Sequence, residues 1–119
     1  MKKTLVLGAT THPNRYAYLA TNSLLHKGHE VALVGVREGE VAGHPILHGT
    51  PPVDDIDTVT LYIGPPRQPA YYDYILSLRP KRIIFNPGTE NAELEQLAES
   101  AGIETVVGCT LVMLSIGTY

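Results

Sequence analysis

The start of this chain limits its possible folds more than any other segment. The apolar run Leu5-Val6-Leu7, in a strand expected from about Thr4, is followed by Gly8, a polar loop, and an amphipathic segment that opens at Arg15. A strand apolar at nearly every position is one buried on both faces, as in parallel sheets covered by helices. Strand, glycine, loop and helix in that order form the first half of a βαβ unit. The backbone N–H groups where such a helix begins make a phosphate site. The loop reads Gly8-Ala9-Thr10-Thr11-His12-Pro13-Asn14-Arg15 and keeps only the first glycine of the dinucleotide fingerprint. Its placement points to a phosphate; its motif leaves the nucleotide open.

The same pattern continues along the chain. A helix is expected over about Arg15 to Lys27, with Asn14 as N-cap, an Ala17, Ala20, Leu24 stripe, and Gly28 as its left-handed stop. Val31 to Val34 reads as the second strand. Arg37 to Asp57 is rich in glycine and proline; Pro45 to His48 would fit a short edge strand there, but no full helix fits. A third strand, about Thr58 to Ile63, precedes a helix opened by Pro69 and ended by Arg79-Pro80. Arg82 to Phe85 is the fourth strand, Asn91 to Ala101 a helix closed by Gly102, and Ile103 to Val107 the fifth strand. The tail from Thr110 to Tyr119 has room for one helical turn. This alternation predicts an α/β domain over residues 1–119, with a five-stranded open parallel sheet, order 3-2-1-4-5, and helices on both faces. Ligands of such sheets bind beyond the carboxyl ends of the strands, where the strand order reverses.

Charge and cysteine content narrow the partners. Net charge is −3 at pH 7 with histidines neutral, which argues against nucleic acid, whose binding needs a basic footprint. No apolar run approaches the roughly 18 residues of a membrane span. Met1-Lys2-Lys3 is basic, but the apolar run after it is too short for a signal-peptide core. Cys109 is the only cysteine, so no internal disulfide forms and a cytoplasmic location is expected.

The residues that carry chemistry lie at the strand ends. The second strand ends in Gly35-Val36-Arg37, where NAD-binding relatives of this architecture place a carboxylate for the ribose hydroxyl. A guanidinium there suits a phosphorylated ribose, on the 2′ carbon in NADP or the 3′ carbon in coenzyme A, or else is a solvated loop charge. Thr10, Thr11 and Arg15 can assist Gly8 and Ala9 in holding a diphosphate. Gly64-Pro65-Pro66-Arg67 would wall the crevice, and Gly88 with Asn91 brings a second helix start to its rim, although capping alone would account for Asn91. No catalytic constellation is evident. Cys109 reads as an inert thiol. His26/His29 and His44/His48 have metal-like spacing without a third ligand, so no metal site is expected.

These residues in this order resemble the small bacterial CoA-binding proteins, stand-alone Rossmann domains similar to the CoA-binding domain of succinyl-CoA synthetase α subunits. The resemblance runs through Thr4 to Thr10 with Pro13 and Arg15-Tyr16, Gly28-His29-Glu30-Val31, and Gly39-Glu40-Val41 with Gly43. It continues through Pro65-Pro66, Asn86-Pro87-Gly88 with Asn91, and Ala101-Gly102-Ile103 to Cys109. It implies a Rossmann-like fold that holds coenzyme A, phosphates at Gly8 to Arg15 and nucleotide end near Val36 and Arg37. Two positions depart from the family's pattern: Gly35-Val36 stands where Asn-Pro is usual, and Gly64 where an arginine is usual. A non-catalytic module for CoA or an acyl-CoA, regulatory or carrier, is the expectation. A minimal NADP-dependent reductase and a ligand-free interaction scaffold are the alternatives.

Overall fold

A computed structural model describes residues 1–119. Its centre is β1 (Thr4–Leu7), in which every residue is buried, the Thr4 hydroxyl donating to the Lys2 carbonyl at 3.0 Å. Side chains alternate across it. Leu5 and Leu7 join Val59, Leu61, Ile83 and Phe85 in one core, while Val6 joins Leu33 in another on the opposite face. β1 pairs in parallel with β2 (Val31–Val34) on one side and with β5 (Thr58–Leu61) on the other. β6 (Arg82–Phe85) and β7 (Glu104–Val107) extend the sheet in parallel beyond β5.

The sheet is α/β and Rossmann-like, but it has seven strands in the order β3-β4-β2-β1-β5-β6-β7, not five in the order 3-2-1-4-5. The difference arises in the glycine- and proline-rich segment. Glu40–Val41 (β3) and His44–Leu47 (β4) form an antiparallel hairpin, turning at Ala42 and Gly43, both at positive φ as primed two-residue turns require. β4 takes the place beside β2 that the expected order gave to the strand at Thr58. That strand instead crosses to the far side of β1. The crossing chain forms no helix: Ile56 and Val53 pack into the Leu5 core, and the Tyr74 hydroxyl donates to the Pro51 carbonyl at 2.7 Å.

Helices cover both faces. α1 (Tyr16–His26) lies on the Val6 face through Ala17 and Leu24. α2 (Tyr72–Ser77) and α3 (Ala92–Ser100) cover the other face through Ile75, Leu94 and Ala98. Two 3₁₀ turns, Pro65–Arg67 and Pro69–Tyr71, precede α2, so the helix expected from Pro69 is shorter. The tail forms α4 (Thr110–Ile116), which packs beside α1 through Leu114 and stops at Gly117 in the left-handed region. Beyond it, Tyr119 closes the amino end of the sheet: the Arg82 guanidinium stacks 4.2 Å from its ring, and its hydroxyl meets the Thr4 hydroxyl.

Candidate functional site

A cleft of about 400 Å³ opens at the carboxyl ends of β1 and β5, where the strand order reverses. Gly8 to Thr10, Arg15 to Ala17, Val36, Arg37, Tyr62 to Gly64, Arg67 and Pro87 to Thr89 line it. Of the residues singled out in the sequence, it brings together Gly8, Ala9, Thr10, Arg15, Val36, Arg37, Gly64, Arg67 and Gly88. Thr11, Pro65 and Asn91 lie outside the lining. The Thr11 methyl lies against Gly39, where an added Cβ would stand 2.5 Å from it. Pro65 starts the first 3₁₀ turn.

The floor of the cleft is held by tight backbone contacts. Gly8 has φ +105°, and a Cβ there would lie 2.9 Å from the Tyr62 carbonyl carbon. Only glycine satisfies both demands. The N–H groups of Gly8 and Ala9 both donate to the Val34 carbonyl, at 2.8 and 2.9 Å, so they clasp β1 to β2 instead of facing a ligand. A Cβ on Gly35 would sit 2.3 Å from the Ala9 carbonyl oxygen. The departure at that position follows from this close approach.

The free donors lie further along the loop. The N-cap position of α1 is Arg15, not Asn14; its backbone is extended (φ −90°, ψ 144°), and no side chain caps the helix. Asn14 directs its own N–H toward His12 Nδ1, at 3.4 Å. The N–H groups of Tyr16 and Ala17 have no acceptor in the chain, and the first turn carries no acid. Such a helix start is a partial positive charge with unsatisfied donors. α3 is the opposite case: Asn91 Oδ1 accepts from the N–H groups of Glu93 and Leu94, and both Glu93 and Glu95 stand in its first turn.

Asn91 is fully engaged with the protein. Its amide also donates to Gln68 Oε1 and to the Tyr72 hydroxyl, each at 2.8 Å. Gln68, completely buried, in turn donates to the carbonyls of Ile63 (3.0 Å) and Thr89 (2.8 Å), joining the loops after β5 and β6. Asn86 performs the same service one layer deeper. It donates to Thr60 Oγ1 and the Leu61 carbonyl and accepts from the Thr110 N–H. The role of Gln68 has no signal in the sequence, since a glutamine between prolines reads as surface.

The electrostatics are one-sided. Three arginines line the cleft and no Asp or Glu does, in a chain whose net charge is −3. The ion pair in the structure joins Lys81 and Asp57 at 3.9 Å, outside the cleft, so Arg15, Arg37 and Arg67 have no carboxylate partner. Burial pushes the Tyr62 phenol up to about 12, leaving it a neutral wall of the cleft. No three His, Cys, Asp or Glu side chains gather as a metal-binding group.

A mostly parallel sheet with a cationic cleft at its switch point and an uncapped helix start defines a Rossmann-like protein. The chain belongs to the CoA binding domain family, whose model matches residues 2–115. It is similar to a crystal structure described only as an uncharacterized protein, at 60% identity, with TM-score 0.98, covering 100% of this chain and 98% of that one. A hypothetical protein from Pyrococcus horikoshii OT3 shares 27% identity at TM-score 0.85, over 97% of this chain and 82% of that one. A Thermus thermophilus protein, cell-free ID.343, shares the fold at 23% identity and TM-score 0.87, over 99% of this chain and 90% of that one. No curated protein matches the chain.

Proposed function

We propose that the cleft binds coenzyme A, free or acylated, and that the chain is a carrier or regulatory module rather than an enzyme. One observation carries this reading: the cleft concentrates three unpaired arginines and an uncapped helix start, with no carboxylate among its lining residues. Such a set is unfavourable in isolation and is relieved by a polyanion, which suits a diphosphate with a further phosphate. In this reading Thr10, Arg15 and the N–H groups of Tyr16 and Ala17 take the diphosphate, helped by Arg67. Arg37, at the end of β2, takes the ribose 3′-phosphate. Val36, 66% exposed at the rim, gives the adenine an apolar surface. The lining holds no His, Cys, Asp, Glu or Lys to transfer a proton, and burial raises the Tyr62 phenol to about 12.

Thermal-shift and calorimetric titrations with CoA, 3′-dephospho-CoA, NADP and NAD test it. Coenzyme A at a hundredfold excess over its Kd should stabilise the protein by about 2.7 kcal/mol. Loss of the 3′-phosphate should weaken binding about tenfold, the worth of one exposed charge-assisted contact of roughly 1.4 kcal/mol. Arg37→Ala should erase that difference. An equal CoA to dephospho-CoA ratio in wild type and variant refutes the Arg37 assignment. A response to NADP without one to CoA refutes the coenzyme A reading.

A further inference from the structure

We propose that His48 is a positioning residue for the cleft: its ring holds the loop that carries Val36 and Arg37, and thereby sets the preference for a phosphorylated ribose. The inference deepens the coenzyme A reading and rests on it for the identity of the anion. Its basis is the segment Gly35 to Gly39, which links β2 to β3 beside the cleft. Val36, Arg37 and Glu38 within it are exposed and make no backbone hydrogen bond. Val36 and Arg37 nevertheless line the cleft. What fixes them is the glycine on either side.

Both glycines are held by β4 and by the first loop. The Gly35 N–H donates to the Leu47 carbonyl at 2.9 Å, and the Gly35 carbonyl accepts from His48 Nδ1 at 3.0 Å. A carbonyl oxygen only accepts, so Nδ1 carries the proton. Ala9 closes a third side, its carbonyl oxygen 2.3 Å from where a Gly35 Cβ would stand. At the far end the Gly39 carbonyl accepts from the Ile46 N–H at 2.8 Å, and Gly39 lies against the Thr11 methyl. His48 supplies the one side-chain hydrogen bond of this clamp. Its side chain is exposed and makes no other hydrogen bond, so the contact acts on the loop rather than on the core. Without it the Gly35 carbonyl turns to water, and the residues that follow lose an anchor. A loop in place about a third of the time weakens its ligand contact about threefold, because apparent affinity scales with the competent fraction. Only a ligand that uses Arg37 feels this loss. The diphosphate contacts of Thr10, Arg15 and Arg67 do not depend on it.

The test has a ligand-free arm and a titration arm. In NMR amide relaxation of the ligand-free chain, Val36 and Arg37 should show the order parameters of rigid backbone, about 0.85, and His48→Ala should lower them toward about 0.6. His48→Asn, whose amide nitrogen stands where Nδ1 stood, should restore them. By calorimetry, the preference for CoA over 3′-dephospho-CoA should fall from about tenfold in wild type to about threefold in His48→Ala, with the dephospho-CoA affinity unchanged. His48→Asn should recover the preference. In an Arg37→Ala background, His48→Ala should have no further effect on either nucleotide. His44→Ala, on the same strand without a bond to Gly35, should match wild type. Order parameters that His48→Ala leaves unchanged overturn the proposal. So does an unchanged nucleotide ratio, or a loss that persists in the Arg37→Ala background. Should His48→Ala misfold, His48→Gln, which carries its amide one methylene further out, takes its place. A wild type that binds neither nucleotide refutes the coenzyme A reading instead, and the ligand-free order parameters then decide the clamp by themselves.

Discussion

Arg15→Asp should make the ligand-free protein more stable while weakening coenzyme A binding at the proposed site. Arg15 already has the extended backbone of an N-cap residue, and only the capping side chain is missing. An aspartate there could accept from the free N–H of Ala17, which has no acceptor in the chain. An N-cap acid in place of a non-capping residue contributes about 0.5–2 kcal/mol, with roughly 0.3–1 kcal/mol more from the helix dipole near an exposed end. Arg15 is exposed and forms no ion pair, so its removal costs the free protein little. The expected net gain is about 1 kcal/mol. Arg15→Ala separates the two effects, because it deletes the cation without supplying a cap; its stability should stay near wild type. Urea denaturation followed by circular dichroism gives the stabilities, and coenzyme A titration gives the affinities. Both variants should bind more weakly, the aspartate most of all, since it occupies the donors and reverses the charge. An aspartate variant no more stable than the alanine variant, or one that binds coenzyme A like wild type, refutes this role for Arg15.

Asn86→Leu removes three side-chain hydrogen bonds and leaves the buried Thr110 N–H unpaired, so a loss of about 3–5 kcal/mol is expected by urea denaturation; a loss below about 1 kcal/mol would mean that this network contributes nothing net. His29 accepts the Lys2 N–H at Nδ1, and burial, then the nearby charges of the amino terminus, Lys2 and Arg82, lower its pKa below 6.5. It therefore protonates more readily when unfolded than when folded, so its stabilising effect is complete above pH 6.5 and declines as pH falls below it. Thermal melts through this window should show a smaller acid-side decline in His29→Gln than in wild type. Gly64→Arg restores the arginine usual in the resembled family; Gly64 has an ordinary φ of −69°, and a Cβ there meets nothing nearer than Pro66 Cδ at 3.7 Å. The variant should fold normally and bind coenzyme A several-fold more tightly by calorimetry, and an unchanged affinity would place this position away from the phosphates.

The strands with unbroken apolar runs were the legible part of this fold. Val31 to Val34 and Arg82 to Phe85 fall where their composition places them, because strands buried on both faces leave little freedom of position. The hairpin of β3 and β4 was hard to read. Two-residue β3 is too short for a period, and an Ala42-Gly43 turn lacks the usual asparagine or aspartate signal. Missing it moved the strand at Thr58 to the wrong side of β1. The tail carried its apolar spacing openly, yet the spacing alone could not show that α4 lies against α1. At the site, Arg15, Arg37 and Arg67 were legible as lining residues because each lies in a loop beyond the carboxyl end of a parallel strand, where such a sheet opens its cleft. The supporting shell was not: Gln68 and Asn91 act through partners 21 and 23 residues away along the chain, a pairing that only the fold creates.

The two departures from the family's usual residues have opposite physical meanings. At Gly35 a side chain would drive into the Ala9 carbonyl at 2.3 Å, so an asparagine there requires the loops after β1 and β2 to separate. In this chain those loops are locked together, with Gly8 and Ala9 both bonded to Val34. Gly35 is thus the residue that permits the locked arrangement, and with it the placement of Thr10 and Arg15 at the cleft. At Gly64 no such contact exists, and the space for a longer side chain is open. Arg67, three residues on and in the same lining, carries a guanidinium to that wall from the end of a 3₁₀ turn. A rim fixed by glycine contacts and by Gln68, carrying cations that no carboxylate holds, is preorganised in its backbone and free in its charges. That combination favours recognition of an anionic ligand without rearrangement of the fold.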